Sequence, residues 1–135
     1  MDQYKYNVVF EPFSERYFIK VFSKKYKTNW PRTRDYVVFM CEHIGNVLSS
    51  QRADLIAVSD DGNYRLVKLD FAIFGTRMSP KKSGNRCILV VDDKLRLVRV
   101  LLVYAKTNLP EKNETKAWKK LVKNEYRDLA NIFKL

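Results

Sequence analysis

YRLVKLDFAIF (Tyr64–Phe74), GTRMSPKKSGNR (Gly75–Arg86), CILVV (Cys87–Val91) and RLVRVLLVYAK (Arg96–Lys106) follow one another through the second half of the chain. In the first run Val67, Leu69, Phe71 and Ile73 alternate with Lys68 and Asp70, the period of two that gives a strand one apolar and one polar face. The two later runs are dominated by Val, Ile and Leu, and a basic loop containing Gly, Pro and Ser separates them from the first. Consecutive antiparallel strands are the expected result. Each carries a cation at or near an end: Arg65 and Lys68 on the first, Arg86 opening the second, Lys106 closing the third. Pairing of neighbouring strands gathers such residues into one cluster, and a polyanion is the partner that suits it.

The bulk composition points the same way. Twenty-six Lys and Arg stand against 15 Asp and Glu in 135 residues, a formal net charge of +11. For a small basic domain nucleic acid is the commonest acidic partner. No apolar run approaches the roughly 20 residues needed to span a bilayer, and Met1–Tyr6 lacks the apolar core of a signal peptide. A cytoplasmic chain with no membrane partner is expected. Cys41 and Cys87 sit in apolar patterns with no CxxC or His-rich surroundings, so both are expected as buried, reduced thiols. The only histidine, His43, leaves too few ligands for a structural zinc site.

With 46% hydrophobic residues and only four Gly and four Pro, the chain is expected to form one domain over residues 1–135. It opens with a strand at Lys5–Phe10. Ser14 is a plausible N-cap for a helix to about Tyr26, with Phe18, Val21, Phe22 and Lys25 on one face. Pro31 fits the first turn of a second helix, and Val37, Met40, Cys41, Ile44, Val47 and Leu48 extend its stripe to about Leu48. A short strand at Asp54–Val58, the turn Asp60–Asn63 and the three strands above lead to a closing helix from about Asn113. There Trp118, Leu121, Val122, Leu129, Ile132 and Phe133 can face a core. This order predicts an α+β domain, two N-terminal helices packed on one face of a mainly antiparallel sheet and a C-terminal helix joining them.

The lysine-bearing strand YRLVKL (Tyr64–Leu69), the turn and strand SGNRCILV (Ser83–Val90) and VLLVYAKTN (Val100–Asn108), in this order on a short basic chain, resemble the RelE/HigB branch of the RelE/ParE toxin superfamily. The resemblance covers roughly residues 7–127. It implies a RelE-like fold, and the toxin of a type II toxin-antitoxin pair that cleaves messenger RNA on the ribosome and is held inactive by an acidic antitoxin protein. In that chemistry the ribose 2′-hydroxyl attacks the adjacent phosphate without metal or cofactor. A base for the 2′-hydroxyl, positive charge around the phosphorane and an acid for the leaving oxygen are required. By resemblance Lys68 stabilises charge or, with a depressed pKa, accepts a proton; Arg86 clamps the phosphate; Lys106 adds charge at phosphate or ribose. Tyr104 is a further catalytic candidate. Arg65, Arg77, Lys81 and Lys82 are assigned to the RNA backbone.

Departures from the family pattern leave the general base open. Thr107 stands where many RelE-like enzymes place an arginine, and no histidine falls at the expected site. Tyr126 lies on the last helix, so its reach depends on how that helix packs. His43 reads as a helix residue beside Cys41 and Ile44. Asp70 shares a face with Lys68 and can pair with it, while Arg86 and Lys106 are both expected at solvent-facing strand ends. A noncatalytic ParE-like gyrase inhibitor, or a basic nucleic-acid-binding module, is the alternative on the same fold.

Overall fold

A computed structural model describes residues 5–109 and 111–135, so most of Met1–Tyr6 lies outside the described residues. Strands β1 (Asn7–Phe10), β2 (Ala53–Val58), β3 (Tyr64–Phe71), β4 (Asn85–Asp92) and β5 (Leu97–Ala105) form one sheet in the order β1-β5-β4-β3-β2. The last four make an antiparallel meander, and β1 lies parallel to β5 at the edge. A parallel pair needs a long crossover. Helical segments α1 (Pro12–Ser14), a π-wound turn (Glu15–Ile19), α2 (Lys20–Lys25), α3 (Trp30–Glu42) and α4 (Ile44–Ser49) lie between β1 and β2, so they precede the meander rather than interrupt it. The short α5 (Pro80–Ser83) sits in the β3–β4 loop, and α6 (Glu114–Glu125) and α7 (Arg127–Ile132) close the chain. The α+β class and the mainly antiparallel sheet agree with the sequence reading.

The helices do not share one face. Phe22, Val37, Met40, Cys41 and Ile44 pack against Val67, Leu69, Cys87 and Leu89 on one side, whereas Trp118, Val122, Leu129 and Phe133 pack with Leu66, Ile88, Val90 and Leu102 on the other. The physical reason lies in β4, all eight of whose residues are buried. A central strand with an unbroken apolar run has two faces to cover. The register slips between Ile88 and Leu89, so that Leu102 faces Ile88 while Val100 faces Leu89. This bulge puts both Leu101 and Leu102 in the second core.

Three helix boundaries depart from expectation. The first helix opens at Pro12, whose fixed φ suits the first turn, and the hydroxyl of Ser14 donates to the carbonyls of Glu11 (2.8 Å) and Val100 (3.3 Å) instead of capping. The second breaks at His43 (φ −116°, ψ 37°) and the last at Tyr126 (φ −133°, ψ 58°), dividing each expected helix in two. Tyr126 donates its hydroxyl to the Leu101 carbonyl at 2.8 Å, which ties the break to β5. Asn113 caps α6 through its side chain, which accepts from the Lys116 N–H at 3.0 Å. Cys41 and Cys87 are buried free thiols; burial pushes Cys41 up to about 12 and raises Cys87 as well.

Candidate nucleic-acid interface

Antiparallel register sets Asp70 of β3 opposite Arg86 of β4, and Arg86 opposite Tyr104 of β5. These three side chains share the sheet face covered by α6, the face to which alternation also assigns Lys68. Arg86 Nε lies 3.0 Å from Asp70 Oδ1 and 3.7 Å from Glu114 Oε2, and Tyr104 donates its hydroxyl to Glu114 at 2.7 Å. The two outer nitrogens of the guanidinium donate to the carbonyls of Asn85 (3.1 Å), Pro80 (3.3 Å) and Lys81 (3.1 Å). Arg86 therefore pins the basic loop to the sheet while two carboxylates balance its charge.

The loop is built to meet it. Ser79 caps α5 by accepting from the Lys82 N–H, and the Ser83 hydroxyl contacts the Phe71 and Pro80 carbonyls at 2.7 and 2.6 Å. Gly84 then turns with φ 76°, a conformation that disfavours any side chain, and its carbonyl accepts from the Lys106 N–H at 2.7 Å. That bond places Lys106 beside the turn that opens β4. Lys106, Arg77, Lys81 and Lys82 are exposed, and Lys68 is half-buried.

Two expectations are corrected here. Arg86, expected at a solvent-facing strand end, is only 8% exposed, and Tyr104 beside it is 1% exposed. Burial raises the Tyr104 hydroxyl far above its ordinary value, and its bond to Glu114 adds to the shift. Arg65 does not join the cluster. It sits on the opposite sheet face, near the other end of β3, where it donates to both carboxylate oxygens of Asp93 at 2.9 and 2.8 Å. Its odd residue number on β3 puts it on the face opposite to Lys68.

Of the remaining candidates, Arg86 and Tyr104 are cross-strand neighbours, Lys68 lies two residues before Asp70 on the same face, the Lys106 backbone joins the Gly84 turn, and the Lys81 carbonyl accepts from Arg86. Asp70, read from sequence only as a partner for Lys68, and Glu114, given no role there, are the carboxylates beside Arg86. Asp70 carried a signal, its position two residues after Lys68; Glu114 depends on the docking of α6, which no local pattern encodes. Burial raises the Asp70 pKa despite the opposing pull of Arg86 and Lys68. Tyr126 is committed to Leu101, and His43 closes α3 against the Phe39 ring at 4.7 Å, among helices of the other face.

No family model, curated protein or solved structure matches the chain. No helix of the described residues is long and apolar enough to cross a membrane.

Proposed function

We propose that the protein is a RelE/HigB-like toxin that cleaves messenger RNA on the ribosome through attack of the ribose 2′-hydroxyl, acts in the cytoplasm and is restrained by an acidic antitoxin. The observation that carries this reading is the cross-strand row Asp70–Arg86–Tyr104, flanked by Lys68 and Lys106 under a basic loop. The row and its flanking lysines offer two of the three groups that the reaction needs, a base and positive charge. Asp70, whose pKa burial raises above the ordinary carboxylate value, is the group suited to accept the 2′-hydroxyl proton, filling the base left open by the missing histidine. Lys106, exposed beside the Gly84 turn, stabilises charge on the phosphorane. Arg86 fixes Asp70 and the loop, and reaches phosphate only by exchanging Glu114, the longer of its two carboxylate contacts at 3.7 Å.

A second reading is favoured by the burial of Arg86 and Tyr104: a noncatalytic toxin or nucleic-acid-binding module in which the row is a fastening for the basic loop. Expression of the chain alone in bacteria separates the two. The catalytic reading expects translational arrest with messenger RNAs cut within codons, relieved by Lys106→Ala. Arrest with intact messages and blocked DNA supercoiling supports a gyrase-type target, and no arrest supports a plain binding module.

A further inference from the structure

Outside this row, the outer face of α3 carries aromatic rings that the core does not use. Tyr36 and Phe39, one helical turn apart, are 49% and 54% exposed and their rings stack at 6.3 Å and 22°. Phe74, where the chain leaves β3, is 49% exposed with the Arg32 guanidinium 5.1 Å over its ring. Arg32, Tyr36, Phe39 and Phe74, together with Asp35, line one shallow depression. Tyr36 also forms a wall of a neighbouring cleft of about 290 Å³, lined by Met40, Arg52, Asp70, Pro80 and Lys81 among others. Tyr36 is thus shared by the aromatic depression on α3 and the cleft that reaches Pro80 and Lys81 of the basic loop.

We infer that this face is a track for single-stranded RNA, with bases stacked on Tyr36, Phe39 and Phe74 and one base entering the cleft beside Asp70. The inference rests on the proposed function and names how its substrate is held. Charge complementarity selects the occupant. The Arg32 guanidinium lies over the Phe74 ring, Arg52 and Lys81 line the adjoining cleft, Arg77 and Lys82 are exposed on the same loop, and Asp35 and Asp70 are the acidic residues in the two linings. Rings that stack bases and cations that follow phosphates are the two parts of a sequence-tolerant single-strand site. A cleft walled by Tyr36, Met40 and Pro80 offers an apolar slot for a base, with Asp70 among its lining residues.

The test uses the full chain carrying Lys106→Ala, so that binding is read without cleavage, and short single-stranded oligoribonucleotides containing 2-aminopurine. Stacking is expected to quench the fluorescent base on binding. Tyr36→Ala with Phe39→Ala is expected to abolish the quench and weaken binding by at least roughly tenfold, while Tyr36→Phe retains both. Both positions are exposed, so an unchanged circular dichroism spectrum certifies the fold. Unchanged affinity and quench in the double variant overturn the inference. So does a wild-type chain that ignores the oligonucleotide but binds an acidic amphipathic peptide through these rings, or one that dimerises through them. Cleavage in cells without aromatic-dependent quenching removes the track and leaves the proposed function standing; aromatic-dependent quenching without cleavage does the reverse.

Discussion

Arg86 carries more of the fold than its place after a glycine turn suggests. Replacing it with Ala leaves Asp70 and Glu114 facing each other's charge in a largely dry setting and frees the loop carbonyls it holds. Loss of one partner from a buried ion pair costs about 3–5 kcal/mol, so Arg86→Ala is expected to lower the denaturation midpoint sharply in a urea titration. Lys106→Ala removes an exposed cation and should change stability by no more than about 0.5 kcal/mol. Its effect on cleavage is expected to be far larger, on the order of a hundredfold to a thousandfold, the loss typical of one group aimed at developing charge. Asp70 gives a pH signature. Because its folded pKa is raised, the native state holds its proton more tightly than the unfolded chain, and the associated stability is full below about 3.9 and fades as pH rises through the folded value. Thermal midpoints of wild type and Asp70→Asn should therefore separate over that window, with wild type losing ground as pH rises; parallel curves would show that Asp70 titrates normally. Residue faces were legible because strand alternation is local. Lys68 and Asp70 fell on one side of β3 as their parity requires, whereas the burial of Arg86 depends on Glu114, which sits far along the chain.

Among the elements, the β3–β4 connection is the one that links the fold to the site. Gly84 turns with φ 76° while its carbonyl holds the Lys106 N–H. A Cβ there would meet the Lys106 Cβ at an ordinary 3.5 Å, so the penalty of Gly84→Ala comes from the backbone rather than from crowding. The left-handed region costs an L-residue roughly 1–2 kcal/mol, and a loss of that size on chemical denaturation is expected. Strand order within the meander was readable from the succession of apolar runs, which pair with their neighbours in sequence even across the longer β3–β4 connection. Helix ends were less so. The apolar stripe from Val37 to Leu48 runs through His43 with no Gly or Pro to mark the break, and the stripe from Trp118 to Phe133 hides Tyr126 in the same way. Ser14 resembled a cap in sequence but lies too deep to serve as one, buried against Val100.

At the scale of the molecule, the sheet is a central layer with α3 and α4 on one side and α6 and α7 on the other. The unbroken CILVV run was the sequence sign of this sandwich, and assigning every helix to one face underused it. Asp70 of the β3–β4–β5 row lines the cleft that Tyr36 of α3 also lines, and it pairs with Arg86. A net charge of +11 makes any RNA complex salt-sensitive: affinity should fall linearly on logarithmic axes as salt rises, and a flat profile would indicate a partner held by apolar contacts. The termini of the cut RNA report the proposed 2′-hydroxyl attack most directly. Purified ribosomes carrying a defined message are incubated with the wild-type chain and with Lys106→Ala, and the ends of the fragments are analysed chemically. The expected result is fragments ending in 2′,3′-cyclic phosphate and 5′-hydroxyl with wild type and almost none with the variant. Intact message, or fragments bearing 3′-hydroxyl and 5′-phosphate ends, would contradict it.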